Sequence, residues 1–458
     1  MNDLTPELAP MPQAGPVPAG GVFPALRVAF WTLGCRLNQY DTEGIRTAMA
    51  ARLPIEVVSW NAEADLYVLN SCTVTAKADQ ECRRLARQAK RRHPLAKVVV
   101  AGCYAQTQPD VLAAMPEIDG VVGNTAKEDV ASWLPEVMGN GGQALKVEDF
   151  AEDPVFDSPL IDSFSGRSRA FIKIQDGCNL RCTYCLIWKA RGPGRSRTVP
   201  EVVEQLRLLV AGGYRETILA GIHLGGYGRD LETRASLTGL LRTCLAELPE
   251  LRIRLSSIHP NEVTPDLLGL FTQYPHLRRH LHISLQSGSD TVLKRMKRPY
   301  RGARAYQALG EIARLDPDFG IGADVIVGFP GETEEEFEAT RRMVAELPFT
   351  YLHVFRFSPR PGTPAADMPD QVHPETITER SAVLRDLAAA KQEAFLRRLI
   401  GRPREAVVEA EDDASGFRQA TTDNYATVLV PPGRPTGELV TVVPETYHGG
   451  KIIARVEN

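Results

Sequence analysis

Between Leu26 and Phe357 the chain alternates short apolar runs with stretches of helical periodicity, and this limits the fold more than any other feature. Apolar runs that lack inside/outside alternation are strands buried on both faces. Helices between such strands make parallel crossovers, so the class is α/β. In the first part the runs are LRVAFWTLG, ADLYVLNS, AKVVVAG and IDGVVG, with a weaker one at IEVVSW. Helix-like stretches occupy Asp41–Arg52 and Thr75–His93, and together these predict a small doubly wound parallel sheet.

From Ala170 the runs AFIKIQ, ETILAGI, RIRLSSI, HLHISLQ, GADVIVGFP and TYLHVFRF recur. Helices are predicted over Pro200–Gly212, Leu237–Leu248, Ala303–Leu315 and Thr333–Leu347, with a longer one over Glu375–Ile400. Six βα repeats over about 230 residues fall short of a closed eight-stranded barrel, so a partial (β/α)6 barrel is expected. After Gly401 short alternating strands separated by turn residues predict a small all-β domain. The expected organisation is a disordered lead-in over 1–24, a sheet domain over 25–140 and a linker over 141–166 that adds strand to a neighbour. The barrel over 167–400 and the β domain over 401–458 complete it.

Cysteines mark this frame. In QDGCNLRCTYC, Cys178, Cys182 and Cys185 follow the run AFIKIQ, in a loop at the carboxyl end of a strand. Closely spaced thiolates let one loop wrap several corners of an iron–sulfur cube, and three ligands leave one iron open for substrate. A structural zinc loop is the alternative, but it usually brings a fourth Cys or His and none lies in this loop. Cys35, Cys72 and Cys103 each end an apolar run (FWTLGC, YVLNSC, VVVAGC). Carboxyl ends of parallel strands share one edge, so these three can converge on a second cluster. Chance placement of small buried residues at strand ends is the competing account. Cys82 and Cys244 fall on apolar helix faces and are read as core.

Composition adds bounds. With 43% hydrophobic and 24% charged residues the chain can bury a real core, and a net charge of −4 does not mark a nucleic-acid protein. No apolar run approaches the ~20 residues that span a bilayer, and the first residues lack the basic and apolar regions of a secretory signal. A cytoplasmic location is expected, where eight cysteines serve metal or catalysis better than disulfides.

The second triplet, with its three- and two-residue spacings, resembles the radical S-adenosylmethionine superfamily. Together with the upstream triplet and the terminal β segment it resembles the methylthiotransferases, whose last domain is called TRAM. The stretches TLGCRLNQYDTE, NSCTVT, ARGPGRSR, LAGIHLGGYG and DVIVGFPGET look most like the branch that acts on N6-threonylcarbamoyladenosine in tRNA. Two other branches act on isopentenyladenosine in tRNA or on a ribosomal-protein aspartate. An iron–sulfur electron carrier or an RNA-binding protein without turnover is the reading outside the family.

The resemblance implies two [4Fe-4S] clusters and S-adenosylmethionine. Cys178, Cys182 and Cys185 would hold the cluster that cleaves the cofactor to a 5′-deoxyadenosyl radical. Cys35, Cys72 and Cys103 would hold the cluster that delivers sulfur to C2 of the adenine at tRNA position 37. It also implies an electron donor such as flavodoxin or ferredoxin, and no membrane. Cofactor contacts are expected at Gly225, Gly226, Gln286 and Gly328. Tyr184 matches the family pattern or simply packs over its loop, and for His223 a structural hydrogen bond is the simpler role. Glu332, Glu334, Glu335 and Glu336 are expected in the first turn of a helix, where the macrodipole favours acids. Basic runs at Arg83–Arg92, Arg191–Arg197 and Lys294–Arg301 are candidate phosphate surfaces. Tyr425 and Tyr447 are candidate stacking groups for RNA on the net-acidic final segment. No motif fixes the oligomeric state.

Overall fold

Parallel pairing governs the chain as far as residue 356, and after residue 404 pairing is antiparallel except where Val428 and Leu429 run parallel to Ile452 and Ile453. The computed structural model describes residues 25–457 apart from 140, 141, 153, 165 and 413–415; the lead-in expected over 1–24 lies outside the described residues. The chain divides into two compact units. One runs through Gly166 and takes in Asp176–Asn179 and Cys185–Arg195; the other holds the remainder.

In the first unit the elements are β1 (Leu26–Thr32), α1 (Arg36–Ala50), β2 (Ile55–Val58), β3 (Leu66–Ser71), α2 (Ala76–Arg92) and β4 (Lys97–Gly102). After them come α3 (Cys103–Thr107), α4 (Pro109–Ala113), β5 (Gly120–Val122), α5 (Val130–Met138) and β6 (Ala144–Lys146). The sheet order is β2-β1-β3-β4-β5-β6, parallel throughout. Strand direction of winding reverses at β1/β3, the place where doubly wound sheets bind ligands. The inner strands β3, β4 and β5 are buried on both faces, while the edge strands β2 and β6 are partly exposed. Tyr67, Leu69, Val98 and Val100 pack with Cys82, Leu85 and Ala89 of α2. Val28, Phe30, Val68 and Val99 pack with Ile45 and Met49 of α1 and Trp133 of α5. Helix α1 begins at Arg36, five residues before the expected Asp41, with Cys35 at its N-cap. Its buried face includes the polar Asn38, Asp41, Thr42 and Glu43, which hid the helical period from a hydrophobicity reading.

In the second unit β7 (Ala170–Asp176), α6 (Ile187–Arg191, on the first-unit segment), β8 (Arg195–Ser196), α7 (Val199–Ala211), β9 (Glu216–Gly221), α8 (Leu237–Glu247) and β10 (Arg252–Leu255) come first along the chain. Then follow β11 (Ser257–Ile258), α9 (Pro265–Gln273), β12 (His280–Gln286), α10 (Asp290–Arg295), α11 (Gly302–Leu315) and β13 (Gly320–Val327). The series ends with α12 (Glu334–Glu346), β14 (Tyr351–Arg356) and α13 (Pro374–Arg398). The run RIRLSSI is one strand broken at Ser256, so β10 and β11 belong to two half-sheets, β10-β9-β7-β8 and β11-β12-β13-β14. The result is an open six-step arc, as expected.

The last strands, β15 (Arg404–Asp412), β16 (Arg418–Thr422), β17 (Thr427–Val430), β18 (Leu439–His448) and β19 (Lys451–Glu457), close into a five-stranded barrel of the size used in OB folds. A buried ion network joins it to the arc. Glu216, fully buried, accepts from Arg254 Nε at 2.9 Å and Arg278 Nε at 2.5 Å. Arg278 also reaches Glu405 at 2.5 Å, and Arg254 donates to the carbonyls of Thr422 and Asp423 at 2.9 and 3.1 Å. Tyr425 is part of this seam. Its ring stacks on His280 at 4.2 Å and lies under the Arg254 guanidinium, so it is engaged within the protein rather than presented as an RNA platform.

Burial alone raises the Glu216 carboxyl, but Arg254, Arg278 and Arg169 outweigh it and bring it to about 2. Replacing Glu216 by Gln leaves buried guanidinium groups short of an anion, and a loss of about 3–5 kcal/mol is expected in denaturant unfolding. The wild-type contribution is complete above the ordinary value of 4.5 and fades as pH falls toward 2. Glu216→Gln is therefore expected to flatten the acid limb of a stability–pH curve.

Candidate metal centres

The first cysteine triplet is built by register. Thr32 pairs with Asn70 and Ser71 with Gly102, so β1, β3 and β4 end level. Cys35 lies three residues past β1, Cys72 directly past β3, and Cys103 opens α3. Two glycines let the turns close. Gly34 (φ +97°) has no room for a Cβ, which would meet Cys72 Cβ at 2.6 Å, and at Gly102 (φ +93°) it would meet Asn70 Oδ1 at 2.3 Å. Cys72 and Cys103 are buried, whereas Cys35 has an open residue surface at the rim. Enough protein nonetheless surrounds Cys35 that desolvation pushes its thiol up, with Cys103 adding to the shift. Burial, then Cys103 and Cys35, push Cys72 up to about 12. Cys103 thus acts on both Cys35 and Cys72, so the three sulfurs share one small volume, where a bound cation would favour their thiolates.

Polar groups brace this volume. Asn38 Nδ2 donates to the Leu33 and Ser71 carbonyls at 2.7 and 3.0 Å, tying α1 to two of the cysteine turns. Asn38 Oδ1 accepts from Arg191 at 2.6 Å and from the Cys103 thiol at 3.9 Å. Arg191, 1% exposed, also pairs with Asp41 at 2.7 Å and with Asp176 at 3.0 Å. Lys127 bonds Asp41 at 2.6 Å and Asn124 at 2.7 Å, and Asn124 donates to Cys103 Sγ at 3.5 Å. The sequence reading placed Arg191 in a surface basic run; it is instead a buried cation beside Cys35 and Cys103.

The second triplet occupies the single loop after β7. Gly177 (φ +70°) is obligatory, because a Cβ there would sit 1.9 Å from the Pro193 carbonyl oxygen. Cys178 N–H donates to the Gly192 carbonyl at 3.0 Å, and Cys185 Sγ accepts from Ile187 N–H at 3.4 Å. Cys182 is buried and its sulfur accepts from Arg298 Nη1 at 3.3 Å. Arg298 is steadied by the Tyr300 hydroxyl at 3.0 Å and the Ser284 carbonyl at 3.2 Å. Tyr184 meets Phe329 edge to face at 6.5 Å and packs with the buried Phe357 group, which favours its packing role.

The expected cofactor contacts divide. Gln286 ends β12 with φ +65°, a strained conformation for a non-glycine residue and one that clusters at ligand sites. At Gly225 a Cβ would lie 2.0 Å from the Glu262 carboxyl carbon, and at Gly226 2.8 Å from His223 Nδ1. Those glycine faces are therefore occupied by Glu262 and His223, which bond each other at 2.6 Å. Burial would raise Glu262, but its bonds to His223 and His259 hold it well below the carboxylate range. The face of Gly328 is covered by Ile377 at 2.3 Å, and its N–H donates to Glu332 at 2.8 Å. Glu332 precedes the N-cap Thr333 instead of lying in the first turn of α12, and is buried against Arg380 at 2.9 Å.

The other basic runs are partly engaged at home. Arg83 bonds the Tyr104 hydroxyl, Arg84 pairs with Glu81 at 2.6 Å, Lys90 with Asp119 at 2.8 Å and Arg295 with Glu336 at 2.7 Å. Cys82 and Cys244 are fully buried on α2 and α8.

Among the described residues, His223/His259/Glu262 and His282/Asp324/His353 are the two donor groups within 4.8 Å of one another. Cys35, Cys72 and Cys103 offer three sulfurs from three neighbouring strand ends, a donor set that fits three corners of an iron–sulfur cube.

A family model described as Radical SAM superfamily matches residues 172–344, and one described as Uncharacterized protein family UPF0004 matches residues 27–123. The threonylcarbamoyladenosine tRNA methylthiotransferase MtaB of Bacillus subtilis is 39% identical, over 88% of this chain and 90% of its own. The protein of the same name from Aquifex aeolicus is 38% identical over 91% and 100%. The fold is shared with the radical S-adenosylmethionine methyltransferase TsrM of Kitasatospora setae, at TM-score 0.55 and 16% identity over 75% of this chain and 77% of that one. The Radical SAM match, which spans the arc and the cysteine loop past its first strand, together with these relatives places the chain in the radical S-adenosylmethionine class. Within it, the chain belongs to the threonylcarbamoyladenosine tRNA methylthiotransferase family. That family carries S-adenosylmethionine and two [4Fe-4S] clusters.

Arg191→Met removes the buried cation that bridges Asp41 and Asp176, leaving Asp41 to Lys127 alone and Asp176 to Arg195. Loss of roughly 3–5 kcal/mol of stability is expected. Iron retained after anaerobic reconstitution is expected to drop from about eight per chain, the content of two four-iron clusters.

Proposed function

We propose that this enzyme replaces the C2 hydrogen of N6-threonylcarbamoyladenosine, at position 37 of tRNA beside the anticodon, with a methylthio group. The observation that carries the reading is a pair of cysteine triplets at strand ends, in a chain that follows relatives of that name over about nine-tenths of their length. Cys35, Cys72 and Cys103 would hold one cluster, and Cys178, Cys182 and Cys185 the other with S-adenosylmethionine. When bound, these groups supply the electron, the hydrogen-abstracting radical and the sulfur and methyl that an unactivated aromatic C–H bond demands.

The chain's own residues position and balance charge. Arg191 offsets the negative charge of thiolates at the first triplet, Asn124 donates a hydrogen bond to Cys103, and Arg298 offsets charge at Cys182. Gln286, Gly225, Gly226 and Gly328 are assigned to the cofactor site. At Gly225 and Gly226 contact would pass through Glu262 and His223, whose side chains lie on the glycine faces. The adenine lies in a single-stranded loop, from which a base can be splayed into a pocket. Residues 25–140 are assigned to the first cluster, 167–400 to the radical step and 401–458 to tRNA. The electron donor is of the flavodoxin or ferredoxin kind, and the setting is cytoplasmic; no helix among the described residues is long and apolar enough to cross a membrane.

Mass spectrometry of tRNA nucleosides from a deletion strain tests the substrate: the methylthio form of N6-threonylcarbamoyladenosine is expected to vanish while its unthiolated parent accumulates. Persistence of that nucleoside with no second gene to explain it rules the assignment out. Loss of methylthiolated isopentenyladenosine, or of the modified ribosomal aspartate, would redirect it to a sister branch. Cys35→Ala and Cys178→Ala are each expected to keep about half the iron, as separate clusters require.

A further inference from the structure

His282, Asp324 and His353 lie side by side on β12, β13 and β14, on the same face of one half-sheet. Register aligns them, with His282 opposite Gly322 and Asp324 opposite His353. The opposite face carries the buried Ile283, Ala323, Val325 and Val354. Asp324 Oδ1 stands 2.9 Å from His282 Nε2 and 3.2 Å from His353 Nδ1. Nitrogen and oxygen ligands about 2.0–2.1 Å from a zinc-sized ion stand about 2.9–3.4 Å apart at angles of 90–109°. Asp324 is thus already at ligand spacing from both imidazoles, and the three donor atoms all lie within 4.8 Å of one another.

The ring of His282 is also held in the orientation a ligand needs. Its Nδ1 shares a hydrogen bond with the Tyr351 hydroxyl at 3.0 Å, and that hydroxyl is itself 2.8 Å from His280 Nε2. Tyr351 can cross β13 to reach them because Gly322 has no side chain; a Cβ there would lie 2.0 Å from the ring. This is the supporting bond that fixes tautomer and direction in histidine metal sites, leaving Nε2 for the ion. Access is open, since the side chain of His353 is 49% exposed and that of Asp324 24%. The group sits apart from the cofactor end of the arc. His282 precedes Gln286, at the carboxyl end of β12, by four residues, about 13 Å of strand.

We propose that His282, Asp324 and His353 form a binding site for a divalent first-row transition-metal ion, separate from both iron–sulfur clusters. Two imidazoles and one carboxylate suit zinc or ferrous iron and leave coordination positions free. The ion would pin β14, the edge strand of the arc, to β13 and through it to β12. Nothing in the methylthiotransferase reading requires it.

The test uses full-length protein with both clusters reconstituted, dialysed against Zn²⁺ alone and then analysed for metals. About one zinc per chain beyond the cluster iron is expected, with X-ray absorption showing nitrogen and oxygen neighbours at about 2.0–2.1 Å and no sulfur. His282→Ala and Asp324→Asn are expected to weaken binding at least tenfold. Half-exposed His353→Gln does the same with an unchanged melting curve and full iron content, which separates loss of a ligand from loss of fold. Zinc absent from the wild type, bound through sulfur, or held equally by the His353→Gln variant overturns the proposal.

Discussion

The first cysteine site depends on the level ends of three parallel strands. Cys35, Cys72 and Cys103 are separated by dozens of residues, and no local turn can gather them. Hydrogen bonding of β3 between β1 and β4 does so, because neighbouring strands are only about 4.8 Å apart and share a carboxyl edge. Gly34 and Gly102 then bring the turns closer than any side chain would allow. Asn38 locks the arrangement through backbone carbonyls of two different turns.

Much of this was legible beforehand because strands and cysteines announce themselves locally. Unbroken apolar runs marked five of the six strands of the first sheet and the arc, the sixth strand falling in the stretch read as a linker, and the cysteines were visible as their punctuation. What stayed hidden were polar groups whose partners are distant in sequence. Arg191 reads as one of several arginines in a loop, yet its charge is shared between Asp41 and Asp176 in the interior. Asn38, Asp41, Thr42 and Glu43 disguised the start of α1 for the same reason. A buried polar residue breaks a hydrophobic period without breaking a helix.

The glycines taught a second lesson. Glycine-rich strand ends invite a ligand reading, since bare backbone can approach a phosphate or a cofactor. Here three of the four candidate cofactor contacts are glycines, and each makes room for a side chain of the same unit: Glu262, His223 or Ile377. Similarly, Glu332 looked like a dipole-favoured acid and is a buried partner of Arg380, while Tyr425 looked free to stack and is already stacked. Composition can nominate such residues, but only three-dimensional neighbours decide what they touch.

The seam around Glu216 ties the last sixty residues to the arc in a way that bears on how the enzyme could have been assembled in evolution. Arg254 spends its guanidinium on an acid of the arc and on two carbonyls of the terminal barrel at once, and Arg278 is divided between Glu216 and Glu405. An arc cut free of that barrel would bury cations with half their partners gone. The terminal barrel is thus no detachable adaptor appended to a finished catalyst; its acids and carbonyls complete the arc's buried cations, and neither part can be exchanged without rewriting the other's charges.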